Sequence, residues 1–403
     1  MHLPLIDSIQ AKIDAVRQRL HRVPSERIDI GLCAGRILAE PIEAFRDSPA
    51  VDVSAMDGYA ARLCDVPRGP LPVVGVASAG AIPLECPEHT AVRIFTGGAV
   101  PRGADLVIPR EQCIESPDRV QINVPAESLR IGQNIRYRGE NASKGTLVLE
   151  PGRLLDGPAL SSLVSLSEAR PIQVHRAVRV AILNTGDELV EPGDSIEDWQ
   201  IRDSNGPLLS ALLSSHRWIH SRRSKVPDDP EQTRHALSQA FADSDAVILT
   251  GGVSMGDTDH VPKAIVDCGG EVIFHRVAIR PGKPLLGGVG PQGQLVMGLP
   301  GNPVSVAVTY RRYAWDLLRY IAGFRKAEVV TRVPVASSDN KRLDLLWFRL
   351  VALDAAGTAT ILPSQGSGDL VSLARSDGFV EIPPSAESKG SVPFFPWASS
   401  ARI

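Results

Sequence analysis

Val178-Arg179-Val180-Ala181-Ile182-Leu183-Asn184-Thr185-Gly186-Asp187-Glu188 is the stretch on which the fold turns. An apolar run with strand character stops abruptly in a loop of Asn, Thr, Gly and acid. The pattern recurs at Thr250-Gly251-Gly252-Val253-Ser254-Met255-Gly256-Asp257-Thr258-Asp259, at Arg280-Pro281-Gly282-Lys283-Pro284 and at Leu299-Pro300-Gly301-Asn302-Pro303. In an open α/β sheet, ligands occupy the crevice beyond the carboxyl ends of the strands. One such loop is a turn. Four of them, carrying backbone donors, carboxylates and cations together, point to a site for a phosphorylated ligand and a metal.

Working outward, helical patterning separates the strands. Leu208, Leu209, Leu212 and Leu213 form one stripe, residues 232–241 a second and 261–266 a third. Pro303 opens a long helix through Ile321, at a position where its missing N–H costs nothing. Strands are expected at 178–183, 245–249, 271–279 and 295–297. Strands alternating with helices at this spacing predict a mostly parallel sheet. Leu5, Ile9, Ile13, Val16 and Leu20 recur at helical spacing, an amphipathic helix whose stripe packs on another segment or another subunit. From Ile42 to about Val148, short β-rich runs broken by Gly and Pro predict a β domain. After Gly323 the texture returns to β.

A chain of 403 residues predicts two to four domains. At 43% hydrophobic and 22% charged it can bury a sizeable core. Its net charge of −3 comes without a basic block, which argues against nucleic acid or a polybasic membrane contact as the main partner. An odd count of five cysteines, without a Cys-x-x-Cys pair, fits a reducing cytoplasm. Met1–Leu20 does not read as a signal peptide, and no apolar run is long enough to span a membrane.

The loops supply the candidate chemistry. Thr250-Gly251-Gly252-Val253-Ser254 lies between a strand and a helix, where Gly lets backbone N–H groups approach an oxyanion. The plainer reading is a tight turn. It matches neither the P-loop nor the dinucleotide fingerprint, which disfavours a kinase or a nicotinamide dehydrogenase. Asp187, Glu188, Asp257 and Asp259 offer hard oxygens suited to Mg²⁺ beside phosphate, although Asp257 or Asp259 could simply cap the next helix. Arg276, Arg280 and Lys283 could hold an oxyanion or form a solvated surface group. By itself Ser54-Ala55-Met56-Asp57-Gly58-Tyr59-Ala60 is only an Asp-Gly turn, and Thr96-Gly97 and Arg138-Gly139-Glu140-Asn141 say as little.

Taken together, seven strings resemble the MoeA family of molybdopterin molybdenumtransferases. They are Met56-Asp57-Gly58-Tyr59-Ala60, Thr96-Gly97, Arg138-Gly139-Glu140, Thr185-Gly186-Asp187-Glu188, Gly251-Gly252-Val253-Ser254, Pro281-Gly282-Lys283-Pro284 and Leu299-Pro300-Gly301-Asn302-Pro303. The resemblance implies a fold class: multidomain α/β plus β, with a central three-layer α/β domain, an inserted β-rich domain and a C-terminal β-barrel-like domain. The domains expected are 1–45 with 145–177, 46–144, 178–325 and 326–403. It also implies a reaction, insertion of molybdate into adenylylated molybdopterin with Mg²⁺-dependent release of AMP. The implied assembly is a cytoplasmic homodimer, its site between the third domain of one subunit and the second domain of the other. The implied site residues are Asp57, Thr96, Glu188, Asp228 and Asp259, with Glu188 and Asp259 on the metal. Gly251, Gly252, Ser254, Arg276, Arg280, Lys283, Pro300, Arg342 and Ser367 would bind substrate. In Val226-Pro227-Asp228-Asp229-Pro230 a plain turn reading of Asp228 stands beside the functional one.

Two departures stand out. Arg276 and Arg280 occupy positions where many members carry lysines, exchanging a point charge for a planar fork. Asn141 stands where the family usually has Asp. Two other readings of the chain are a molybdopterin adenylyltransferase, which the flanking domains with Asp57 and Thr96 argue against, and a non-enzymatic scaffold for partner binding.

Overall fold

Val178, Val180 and Ile182 point to one side of their strand while Ala181 and Leu183 point to the other, so this strand must be covered on both faces. That requirement is met in the computed structural model, which describes residues 5–168, 170–253, 260–336 and 341–397. The strands of the central sheet are β1 (Val178–Thr185), β2 (Ile219–Val226), β3 (Ala246–Thr250), β4 (Glu271–His275), β5 (Leu286–Val289) and β6 (Leu295–Leu299). Their order is β2-β1-β3-β6-β5-β4. The pairs β1–β2, β1–β3 and β3–β6 are parallel, and β5 alone runs against its neighbours. On one face lies α1 (Asn205–Ser214), with Leu209 and Leu213 buried. On the other lie α2 (Pro230–Asp243) and α3 (Val261–Asp267), burying Leu237, Ala240, Phe241, Val261, Ala264 and Ile265. The result is the expected three-layer α/β domain.

Three differences from the sequence reading have physical reasons. Strand β2 escapes the apolar pattern because it is the edge strand; its run of His220, Arg222, Arg223 and Lys225 protects an open edge. The expected strand 271–279 divides at Arg276, whose φ of 72° breaks extended backbone. Residues Ile279–Arg280 then pair with Leu346–Leu353 of the C-terminal sheet. The helix from Pro303 is continuous in path but not in type. Its first segment, α4 (Pro303–Thr309), passes through one π turn at Tyr310–Ala314 into Trp315–Ile321.

The chain forms two units. Met1–Glu40, Pro151–Gly157 and Pro171–Ile403 make the first; Pro41–Glu150 and Pro158–Arg170 make the second. Within the first, the N-terminal helix Leu5–Arg17 buries Ile9, Ile13 and Val16 in the same core as Phe274, Val289 and Leu295. Its apolar stripe therefore packs on the central domain. The five strands 346–353, 359–361, 331–335, 390–396 and 378–382 pair in that order and close back on the first, forming a barrel around Val333, Val351, Ala359, Val380 and Val392. The second unit is built on a six-stranded sheet, in the order 106–109, 58–61, 91–94, 71–77, 119–122 and 113–115.

Candidate functional site

The parallel strands end level with one another. Thr185 pairs with Val226, Asn184 with Thr250, and Thr250 with Leu299. Strand β4 runs in the direction of β6, since both are antiparallel to β5, and His275, Leu286 and Gly298 lie across from one another. The loops carrying Glu188, Asp228, Gly251, Arg276 and Pro300 thus leave one edge of one sheet. The register of the strands, which no single motif encodes, brings them together.

At this edge Asp187 Oδ1 accepts the backbone N–H of Asp228 at 3.1 Å, joining the loops after β1 and β2. The plain turn reading of Asp228 is thereby given a partner, and Asp229 caps α2 by accepting from Gln232 N at 2.8 Å. The Glu188 side chain turns back over Gly186. Among the described residues no hydrogen-bond donor or cation reaches its carboxylate, which leaves an exposed anion at the strand end.

Gly251 and Gly252 have φ of 82° and 64°, the left-handed region. A Cβ on Gly251 would lie 2.7 Å from the Thr185 carbonyl oxygen, so this loop can pass over β1 only without a side chain. The Gly251 N–H donates to the Leu299 carbonyl at 3.2 Å and is not free for an oxyanion. Among the described residues the Gly252 N–H has no acceptor. Ser254, Asp257 and Asp259 lie outside the described residues.

The cations sit on a braced loop. Arg276 N donates to Leu285 O at 2.9 Å, Val277 N to Lys283 O at 3.0 Å, and Leu285 N to Gly282 O at 3.0 Å. Lys12 Nζ holds the Arg276 carbonyl at 3.1 Å. Arg276, Arg280 and Lys283 are exposed, and among the described residues no carboxylate pairs with them. Among the described residues these three cations and the Glu188 carboxylate are left unneutralised at the same end of the sheet, after β4 and β1 with β3, β6 and β5 between them, which suits an extended ligand that carries phosphate oxyanions and a divalent metal.

The barrel contributes one predicted residue to this edge and withholds another. Ser367 accepts from Asn302 Nδ2 at 2.8 Å through its hydroxyl and from Val304 N at 3.0 Å through its carbonyl. Its loop is thus fastened to Pro300-Gly301-Asn302. Arg342 instead pairs with Glu387, which also takes Lys389.

Asp57 and Thr96 belong to the second unit. Cross-strand pairing of Gly58 with Ile94 brings their loops side by side. One oxygen of Asp57 accepts both the Thr96 hydroxyl at 2.6 Å and the Thr96 N–H at 2.7 Å. These bonds hold the Asp57 carboxyl below its ordinary range, helped by the charges of Arg110 and Arg93. Asn141 accepts from Arg136 Nη2 at 2.5 Å, so the carboxamide keeps a partner that an Asp there could also have held.

Residues 7–167 match the MoeA N-terminal region comprising domains I and II, 181–320 a probable molybdopterin binding domain, and 329–392 the MoeA C-terminal region, domain IV. A molybdopterin molybdenumtransferase of Nostoc sp. is 34% identical over 89% of this chain and 85% of its own. One of Haemophilus influenzae is 37% identical over 78% of this chain and 77% of its own. Two crystal structures of the Pyrococcus horikoshii molybdopterin biosynthesis MoeA protein superpose with TM-scores of 0.80 and 0.81, at 27% and 25% identity, covering 99% and 98% of this chain and all of theirs. With the level strand ends, the cation loop and the closed barrel in place, these matches assign the fold without remainder: the chain belongs to the MoeA family of molybdopterin molybdenumtransferases.

Proposed function

We propose that this chain is a transferase that inserts molybdenum into molybdopterin, consuming adenylylated molybdopterin and molybdate and releasing AMP with the help of Mg²⁺. The observation that carries this reading is that, among the described residues, the Glu188 carboxylate and the cations Arg276, Arg280 and Lys283 meet no partner of opposite charge, on loops that leave the same end of one sheet. A hard, exposed carboxylate free of any cation fits Mg²⁺, and Glu188 with Asp259 would hold it. The metal would supply charge neutralisation at the phosphate oxygens. Arg276, Arg280 and Lys283 bind molybdate and phosphate and stabilise charge that develops at phosphorus. Gly252 and Ser254 donate to the same oxyanion, Gly251 shapes the turn, and Asp228 borders the site. Pro300 and Ser367 line the substrate end; Arg342, paired with Glu387, would join them only by leaving that carboxylate. No side chain acts as nucleophile, because a molybdate or water oxygen attacks phosphorus directly. Asp57 and Thr96 reach the reaction from a second copy in a cytoplasmic homodimer. The four-domain division 1–45 with 145–177, 46–144, 178–325 and 326–403 forms part of the same reading.

The test is direct. Purified protein is incubated with adenylylated molybdopterin, molybdate and Mg²⁺, and both AMP and pterin-bound molybdenum are measured. Both products are expected to rise together, and Glu188→Gln should slow AMP release about 100-fold. A wild-type protein that yields neither product would sink the proposal; a Glu188→Gln enzyme of unchanged rate would remove Glu188 from the metal.

A further inference from the structure

Behind the strand-edge loops lies a buried polar cluster to which the reaction assigns no part. It centres on the turn Asp203-Ser204-Asn205-Gly206 that opens α1. Asp203 is 5% exposed, Asn205 7% and Asn184 0%. Burial this complete is costly for polar groups unless they are bonded. Asp203 Oδ1 accepts from Gly206 N at 2.9 Å and from Asn184 Nδ2 at 3.4 Å, while Oδ2 takes Arg223 at 3.0 Å. Asn184 Nδ2 also donates to Thr250 Oγ1 at 2.8 Å, and Thr185 Oγ1 donates to the Thr250 carbonyl at 3.3 Å. Asn205 Nδ2 donates to the carbonyl of Gly301 at 2.6 Å. The two carboxamide orientations are fixed, since each amide faces an acceptor that cannot donate: the Asp203 carboxylate and the Gly301 carbonyl.

One turn therefore grips every loop that follows a parallel strand of the central pair. Asp203, through Asn184, holds the end of β3 that launches Gly251-Gly252. Asn205 holds Gly301 in the loop after β6. Gly206 leaves no slack, because a Cβ there would lie 2.4 Å from Arg223 Cδ and 2.5 Å from Asp203 Oδ2. Among the described residues the Oδ1 atoms of Asn184 and Asn205 are buried and meet no donor.

We infer that Asn205 is a positioning residue for the transfer reaction: its single donated bond to Gly301 sets the spacing between the Pro300-Gly301-Asn302 loop and the Gly251-Gly252 loop, and so the fit of the pterin substrate. The role rests on the function proposed above. Asn205 touches no reacting atom; it acts through Gly301. Misplacing a substrate-positioning loop by about 1 Å can cost about 100-fold in rate.

The variant is Asn205→Asp. It is isosteric and introduces an acid at a helix N-terminus, where negative charge is favourable, and circular dichroism and the melting temperature check that the fold is retained. It replaces the donor with a carboxylate oxygen that repels the Gly301 carbonyl. Two measurements are made on the full-length protein, with Ser204→Ala as the neighbouring control. Amide exchange is expected to rise about tenfold at Gly251, Val304 and Val306 and to stay unchanged in the middle of β1 and β3. In the AMP-release assay, KM for the adenylylated pterin is expected to rise about tenfold with kcat changed less than about twofold. The deficit should shrink as pH falls and the new carboxyl takes up a proton it can donate to Gly301. Unchanged loop exchange would overturn the clamp. Raised exchange with an unchanged KM would overturn its role in substrate fit. Raised exchange in a protein whose wild type releases no AMP would leave the clamp standing and overturn the proposed function.

Discussion

Thr96 shows how one residue can fix another's charge. Its hydroxyl and its N–H both donate to the same Asp57 oxygen, and both bonds favour the ionised form. Replacing Thr96 with Val removes the larger of the two and leaves the backbone bond. The Asp57 pKa is expected to rise toward its ordinary value, read by carboxyl-carbon NMR titration; an unmoved titration would show that the backbone bond and the arginines, not the Thr96 hydroxyl, depress it. The sign for folding follows from linkage. A carboxyl held low in the native state adds stability above its unfolded pKa, and that increment disappears as pH falls through the native value. Asp57 is exposed, so solvent screens it and little of this shift reaches folding stability. None of this was legible in Met56-Asp57-Gly58, which reads as a turn. The partner is 39 residues away and only strand pairing supplies it.

At the scale of elements, the sheet is tied at its other end by Asp245. This residue precedes β3 and receives Arg176 through two bonds of 2.8 Å, with Arg179 N at 2.7 Å, from the segment that begins β1. Burial alone would raise its pKa, yet the Arg176 pair and the Arg179 N–H hold it below the ordinary carboxylate value. Asp245→Asn is expected to cost about 2 kcal/mol, less than the full loss for a wholly buried pair because both side chains keep some exposure. Urea unfolding at neutral pH measures it. The difference between variant and wild type should vanish as pH falls below about 3.9 and through the lower native value, because the native carboxylate is then protonated. A difference that persists in strong acid would place the effect in packing. Elements were easiest to read where both faces are buried, as in β1 and β3. They were hardest at the charged edge strand β2 and the glycine-rich β5, whose sequences answer to solvent and to close packing.

Across the whole molecule, two half-buried imidazoles set an acid limit. His216 lies between Trp218 and Trp315, with ring centroids 5.5 and 4.6 Å away, and burial, then the charge of Arg311, pushes its pKa down. Burial likewise lowers that of His175, whose Nδ1 meets the Val23 carbonyl at 3.1 Å. A histidine kept neutral by folding contributes no penalty above its unfolded pKa and destabilises as pH drops below about 6.5, where the unfolded chain takes the proton first. The melting temperature should therefore fall between about pH 7 and pH 5, and His216→Phe should flatten the decline; an equal slope in the variant would exonerate His216. Assembly is tested by mixing two inactive variants, Asp57→Asn and Glu188→Gln. If a second copy supplies Asp57, random re-pairing should restore about a quarter of wild-type activity, since half the dimers then hold one intact site. No recovery would place Asp57 and Glu188 of one chain in the same site.

The sequence by itself determined the three-layer central domain, the β-rich insertion and the C-terminal β domain, because strand and helix periodicity are local and burial on two faces demands continuous apolar runs. It also carried the family, since seven loop strings persist in order whatever their contacts. Tertiary structure alone decided which loop groups meet. It levelled the strand ends, used the Gly251 N–H within the sheet, paired Arg342 with Glu387 while leaving Arg276, Arg280 and Lys283 without a carboxylate among the described residues, and set Asn205 beneath Gly301. Hydrogen bonds and ion pairs between residues tens of positions apart depend on register and close packing, and neither is written in any one segment.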